Sequence, residues 1–130
     1  MKFVLIDTSV WIEYFRGSNN ADINIISELI DNNQICTNYL ILSELIPPLR
    51  LKKELTIIDL LLTVRNIPIS INWEQIINYQ FINLKSGINN VGIPDLIILQ
   101  NVISNNLELF SLDKHFQLMN KNIKFNLFKH

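Results

Sequence analysis

Cysteine is almost absent from this chain, which has one in 130 residues. A single thiol excludes an intramolecular disulfide and gives no support to an oxidising compartment. Cys36 lies in the short apolar stretch that precedes Thr37. We therefore interpret it as a small buried residue of a strand rather than as a nucleophile.

An excess of charge of either sign is also missing, since the formal net charge is −1. The chain as a whole therefore does not attract polyanions, and any contacts with nucleic acid must be local. Long apolar runs are absent too: the run at residues 3–6 is too short for a signal-peptide core or a membrane span. We predict a cytoplasmic protein with no membrane association.

The composition that is present favours a folded chain, with 48% apolar and 18% charged residues. At this length we predict a single domain over residues 1–130. Apolar periodicity and turn residues predict strands near 3–6, 35–37, 67–69, 107–110 and 123–128, and helices near 10–15, 21–30, 39–45, 52–64, 72–84, 94–103 and 114–119. Pro47 and Pro48 are expected to disrupt or end the third helix. This order predicts an α/β fold with a mostly parallel central sheet of about five strands and helices on both faces.

Four carboxylates stand at the ends of apolar runs or inside them: Asp7, Glu44, Asp95 and Asp113. A lone charge in such surroundings is costly to bury unless it has a partner such as a metal ion. Asp7 follows the first strand and Asp113 follows the fourth, so both are expected at the C-terminal edge of the sheet, where α/β proteins bind ligands. The helices that carry Glu44 and Asp95 are placed to overhang the same edge. A cluster of acids with few cationic neighbours favours a divalent cation and phosphodiester chemistry.

Each acid also has a purely structural interpretation. Asp7 is in a position to cap the helix that follows it, and Asp95 suits a first helical turn because of the helix dipole. Asp113 suits an ordinary turn. Glu44 is the hardest to explain structurally, because Leu42 and Leu45 flank it in a helix that is expected to pack.

The motifs around these acids resemble those of the PIN domain family. The matching segments are Asp7-Thr8-Ser9-Val10-Trp11-Ile12, Ser43-Glu44-Leu45, Ile93-Pro94-Asp95-Leu96, and Phe110-Ser111-Leu112-Asp113-Lys114-His115-Phe116. They occur in the family's order across the whole chain. The small size is similar to that of the VapC toxins of VapBC toxin–antitoxin pairs. Two departures are Ile98-Leu99 where the family usually has small residues, and Leu112 where it often has Arg.

The resemblance implies a PIN-like three-layer fold and a metal-dependent endoribonuclease that uses Mg²⁺ or Mn²⁺. By the same resemblance, Asp7 and Asp95 bind the metal directly, while Glu44 and Asp113 bind through water or hold a second ion. It further implies an RNA substrate, such as a tRNA, a VapB-type antitoxin as partner, and a homodimer.

Polar residues beside the acids complete the predicted site. Ser111 is expected to support a metal ligand by a hydrogen bond, and Thr8 and Ser9 to orient Asp7 or to cap the helix. Arg16, at the end of that helix, is the best candidate for an RNA contact. His115 is interpreted as a surface residue rather than a general base.

Two other functions are considered. A phosphate-accepting receiver domain also places acids after parallel strands. It requires a second acid beside Asp7 and a Lys after a late strand, whereas Thr8 and Ser9 follow Asp7 in this sequence. A PIN-like module that binds RNA or protein without cutting is the other alternative. Four intact acids argue against it, because like charges held together repel each other unless a cation neutralises them.

Overall fold

The sheet is organised around a fully apolar strand. In this computed structural model, which describes residues 2–17 and 21–129 (of residues 21 and 22 the backbone alone), five strands pair in parallel in the order β3-β2-β1-β4-β5. They are β1 (Val4–Ile6), β2 (Ile35–Thr37), β3 (Arg65–Asn66), β4 (Glu108–Phe110) and β5 (Asn126–Leu127). Every side chain of β1 is buried. Because successive side chains of a strand point to opposite faces, both faces of the sheet are covered at its centre.

Among the described residues, seven helices connect these strands: α1 (Thr8–Phe15), α2 (Ala21–Asp31), α3 (Tyr39–Leu51), α4 (Leu55–Thr63), α5 (Trp73–Lys85), α6 (Ile93–Ser104) and α7 (Lys114–Met119). In α2, the apolar residues Ile23, Ile26 and Leu29 recur at helical spacing and are all buried on one face of the helix. Burial of this face holds the helix against the core. The predicted α/β fold with a parallel five-stranded sheet is confirmed. Within the described part of the chain, no helix is long and apolar enough to cross a membrane.

The expectation that Pro47 and Pro48 disrupt or end a helix is wrong, because α3 continues through both to Leu51. A proline cannot donate the backbone hydrogen bond to the carbonyl four residues earlier, so the carbonyls of Ser43 and Glu44 lose their helical partner. Those four residues are all exposed, and water can therefore satisfy the carbonyls. The helix is held instead by its opposite, buried face.

The larger of the other differences from the predicted boundaries concern three elements, α4, β3 and β5. The helix predicted from residue 52 begins at Leu55, because Lys53 has a positive φ of 59° that interrupts the helix. The third strand forms at Arg65–Asn66 and not at residues 67–69, so Pro68 lies beyond the ladder, where its missing N–H is not needed. The last strand is limited to two residues of the predicted 123–128.

A buried chain of amide groups connects the two helices that carry Glu44 and Asp95. The Asn38 side chain caps α3 by accepting a hydrogen bond from the Ile41 N–H, at 2.9 Å. Its Nδ2 donates to Oδ1 of Asn101 on α6 at 3.0 Å, and Asn101 in turn donates to the Pro68 carbonyl at 3.0 Å. Both asparagine side chains are buried, so the hydrogen bond between them is shielded from water.

We predict that Asn101→Leu lowers the free energy of unfolding by about 1–3 kcal/mol, because Asn38 Nδ2 is left buried without its partner and the Pro68 carbonyl loses a hydrogen bond. Urea denaturation followed by circular dichroism measures the change. Asn78→Leu, on the exposed side of α5, is the matched control and should stay within about 0.5 kcal/mol of wild type. Equal stability of the two variants would contradict the assigned role of the amide chain.

Candidate active site

Asp7 lies where the central strand passes into α1, at the C-terminal edge of the sheet. Its backbone N–H donates to the carbonyl of Phe110 at 2.9 Å, which fixes it beside the end of β4. The residue occupies the N-cap position of α1, but its side chain makes no capping hydrogen bond and is only 7% exposed. The structural interpretation of Asp7 as a helix cap is therefore not supported, and its carboxylate is directed to other partners.

Two serine hydroxyls hold one oxygen of the Asp7 carboxylate. Ser9 Oγ donates to Asp7 Oδ2 at 3.0 Å, and Ser111 Oγ donates to the same oxygen at 2.7 Å. Each hydroxyl also accepts a backbone N–H, Ser9 from Leu112 at 3.1 Å and Ser111 from Asp113 at 3.0 Å. A hydroxyl has one proton to donate, so these accepted bonds direct both protons to Asp7. Within residues 2–17 and 21–129, Oδ1 of Asp7 accepts no hydrogen bond.

Asp95 and Asp113 meet at the same edge, although they come from different helices. Asp95 lies in the first turn of α6, and Asp113 precedes α7, where its Oδ1 accepts the His115 N–H at 2.9 Å. Asp113 is thus a helix cap as well as a member of the cluster. One ligand atom from each of Asp95, Asp113 and His115 lies within 4.8 Å of the other two.

Glu44 approaches this edge from α3. Its side chain is exposed, so the expected difficulty of solvating it does not arise. The hydroxyl of Thr8 donates to Glu44 Oε1 at 3.1 Å, so Thr8 contacts the second acid and not Asp7. Of the two residues expected to orient Asp7 or cap α1, only Ser9 hydrogen-bonds the Asp7 carboxylate.

The carboxyl group of Asp95 is affected by the charges of the other three acids. The pKa of Asp95 is raised from its ordinary value of 3.8 to about 6, first by burial and then by the negative charges of Asp113, Asp7 and Glu44. His115 acts in the opposite direction and lowers it. Among the described residues, no Lys or Arg forms an ion pair with any of the four acids. The site therefore has a surplus of negative charge and a set of oxygen ligands, which suits a hard divalent cation.

The comparison with protein families decides the classification. The PIN domain family model matches residues 4–122, which is nearly the whole chain. The chain belongs to the PIN domain family. No curated protein matches its sequence.

Solved structures give the same fold. The VapBC2 complex of Rickettsia felis bound to a promoter DNA fragment is similar with a TM-score of 0.73 at 17% identity, over 98% of this chain and 97% of that one. DNA-bound VapBC from Salmonella typhimurium has a TM-score of 0.72 at 15% identity, over 99% and 98%. FitAcB from Neisseria gonorrhoeae has a TM-score of 0.71 at 15% identity, over 98% and 97%. At these identities the likeness establishes the fold of this PIN domain.

A groove adjoins the acid cluster of the PIN domain on the Glu44 side. It has a volume of about 330 Å³ and an apolar floor between α1, α3 and α4, with Arg16, Glu44 and Lys52 among its lining residues. Arg16 is exposed and pairs with Glu13 at 2.9 Å. Its proposed RNA contact stays a prediction, now with a defined position on the rim of this groove.

The sequence did not reveal that His115 lies beside the acid cluster. Its Nδ1 lies 3.2 Å from Asp113 Oδ1, and it belongs to the group of three potential ligands described above. The sequence did contain one indication of this contact. His115 stands two residues after an acid that begins a helix, and at this spacing the His side chain can lie beside the capping carboxylate. The assignment of His115 to an ordinary surface position is therefore incomplete.

We predict that Asp95→Asn stabilises the PIN domain in EDTA at about pH 7, because the neutral amide escapes burial of a charge and repulsion by the other acids. The folded pKa lies above the unfolded one, so stability falls as pH rises from about 4 to about 6 and remains lower above that window. The expected gain is about 1 kcal/mol, after allowance for solvent screening of a half-buried group, and little gain is expected at about pH 4.

Thermal denaturation at the two pH values measures this gain. Asp59→Asn, an exposed acid on α4, is the matched control and should change little at either pH. An Asp95→Asn protein that is no more stable than wild type at about pH 7 would contradict the assigned repulsion.

Proposed function

We propose that this chain is a single-domain, metal-dependent endoribonuclease and the toxin of a VapBC-type toxin–antitoxin pair. The observation that supports the enzymatic part is the convergence of Asp7, Glu44, Asp95 and Asp113 at one sheet edge, with the pKa of Asp95 raised first by burial and then by the charges of the other three. A protein gains nothing from such repulsion unless a cation relieves it. Membership of the PIN family and the fold of VapC toxins support the toxin assignment.

The residues of the cluster fit Mg²⁺ or Mn²⁺, which prefer oxygen ligands. In this proposal Asp7 Oδ1 and the Asp95 carboxylate bind the ion directly. Glu44 and Asp113 bind through water or hold a second ion. A bound Mg²⁺ or Mn²⁺ supplies an activated water and neutralises charge on the phosphate of the scissile bond.

The protein's own contribution is to fix the ligands before the substrate arrives. Ser9 and Ser111 both donate to Oδ2 of Asp7, so the carboxylate cannot rotate without losing two hydrogen bonds. Thr8 holds Glu44 toward the same edge. Such pre-organisation means that little ordering remains to be done when an ion and an RNA phosphate bind.

The proposed protein partners are an antitoxin and a second copy of this chain. The similar Rickettsia and Salmonella structures are VapBC complexes, which supports a VapB-type antitoxin for this chain. Trp73, Ile77 and Phe81 expose an apolar stripe along α5, which is consistent with the proposed homodimer. RNA, such as a tRNA, is the proposed substrate, and the cytoplasm is the proposed compartment.

The alternatives are weaker. A receiver domain has the strand order 2-1-3-4-5, whereas the order here is β3-β2-β1-β4-β5. A PIN-like module that binds RNA or protein without cutting it remains the second candidate, and a cleavage assay distinguishes it from the nuclease.

We predict that purified, antitoxin-free protein cleaves a labelled tRNA or total-RNA pool into discrete fragments with Mg²⁺ or Mn²⁺, and that EDTA abolishes cleavage. Asp7→Asn should lower the rate by about 100-fold or more, because metal assistance is worth several kcal/mol. Asp59→Asn should cleave like wild type. Folded wild-type protein that binds this RNA without cutting it in either metal would favour the non-catalytic module.

We further predict that Ser111→Ala weakens Mn²⁺ binding by roughly 10–100-fold, because Asp7 loses one of its two supporting hydrogen bonds. Isothermal titration calorimetry measures the affinity without any substrate. Ser104→Ala, at the exposed end of α6, is the matched control. Identical Mn²⁺ affinities for the two variants would remove Ser111 from the site.

A further inference from the structure

A second pocket adjoins the acid cluster on the side opposite the Glu44 groove. It lies between the end of β4, α7 and β5 and has a volume of about 330 Å³. Ser111 and Asp113 of the cluster form part of its wall, and the residues that extend it away from the cluster include Leu112, Gln117, Phe128 and Lys129. We call it the β5 pocket. Its size is at the lower end of the range for small-molecule sites, which suits one nucleotide rather than a helix.

The chemistry of the β5 pocket matches the parts of a nucleotide. Phe128, which packs on Phe110, is partly exposed and lies beside the apolar side chain of Leu112, so this part of the pocket is apolar and aromatic, as the face of a base requires. Gln117 is exposed and carries both a donor and an acceptor, as needed to bind the edge of a base. The exposed Lys129 offers a cation for a phosphate.

The position of the β5 pocket adds a second, independent argument. Where no cation neutralises them, the carboxylates repel the phosphates of a polyanion, so cationic side chains on both sides of the cluster favour a bound strand. Lys52 and Arg16, which pairs with Glu13, line the groove on the Glu44 side together with Glu44 and Glu54, and Lys129 lines the β5 pocket on the Asp113 side. An RNA strand that crosses the cluster from one cavity to the other passes a cationic side chain on each side of the carboxylates.

We propose that the β5 pocket binds the nucleotide next to the scissile phosphate and thereby contributes to the choice of cleavage site. This inference rests on the proposed ribonuclease function. Phe128 and Leu112 contact the base, Gln117 binds its edge, and Lys129 binds the adjoining phosphate.

The test uses Gln117→Ala and Lys129→Ala, since both side chains are exposed and neither substitution removes packing. Phe128→Leu is a third variant. Because Phe128 packs on Phe110 at 5.1 Å between ring centroids, the melting temperature of this variant must first be shown to equal that of wild type. Lys121→Ala, exposed just after α7, is the matched control for Lys129. Cleavage of the RNA pool gives the cleavage-site map, and a short RNA that contains one mapped site gives kcat/KM.

We expect Gln117→Ala to relax the base preference beside the cut, and both Gln117→Ala and Phe128→Leu to lower kcat/KM by roughly 10-fold. Lys129→Ala should weaken RNA binding without changing the base preference, and Lys121→Ala should change neither. The Mn²⁺ affinity of every variant should equal that of wild type, which separates loss of the pocket from loss of the metal site. Unchanged kcat/KM and an unchanged cleavage map in all three variants would overturn the proposal.

A binding assay separates failure of this inference from failure of the ribonuclease function. Fluorescence anisotropy with a labelled short RNA in an Asp7→Asn background measures binding without requiring cleavage. If wild type cuts no RNA but Gln117→Ala and Lys129→Ala weaken RNA binding, the nuclease assignment fails and the nucleotide site stands. If RNA binding is unchanged, or if the variants lose only a protein partner, the β5 pocket is not a nucleotide site.

Discussion

Repulsion among four carboxylates at one sheet edge is the constraint on which the rest of the site depends. The described part of the chain brings no Lys or Arg into an ion pair with them, and His115 alone acts against the rise in the pKa of Asp95. Folding of the metal-free chain therefore buries Asp95 close to like charges at a cost in free energy, which the hydrophobic core must offset. A bound cation, as proposed here, would offset this cost by neutralising the carboxylates.

Hydrogen bonds between the elements that carry the acids hold this arrangement in place. The buried Asn38–Asn101 hydrogen bond joins α3 to α6, and the hydroxyls of Ser9 and Ser111 join α1 to the loop after β4. Each connection runs between segments far apart in sequence, and each segment carries one of the acids. The acids are thus held at defined positions by polar contacts that do not themselves involve the proposed ion.

The sequence predicted the five-stranded parallel sheet better than it predicted the contacts around the four acids. Apolar runs such as residues 3–6 have one stable solution, a buried parallel strand, and an acid placed directly after the strand must lie at its C-terminal edge. The continuation of α3 through Pro47 and Pro48 was not predictable from local propensity, because tertiary packing of the buried face decides it. The partners of Thr8 and the approach of His115 depend on the relative placement of helices distant in sequence, which no local pattern records.

A crystal structure of the wild-type protein grown with Mn²⁺, with an anomalous difference map, tests the central claim most directly. The account predicts an anomalous peak within coordination distance of the Asp7 and Asp95 carboxylates, with Glu44 and Asp113 close enough to bind it through water or to hold a second peak. It also predicts that Ser9 and Ser111 keep their hydrogen bonds to Asp7. A saturated crystal with no Mn²⁺ between these carboxylates, or with the ion bound elsewhere, would contradict the account.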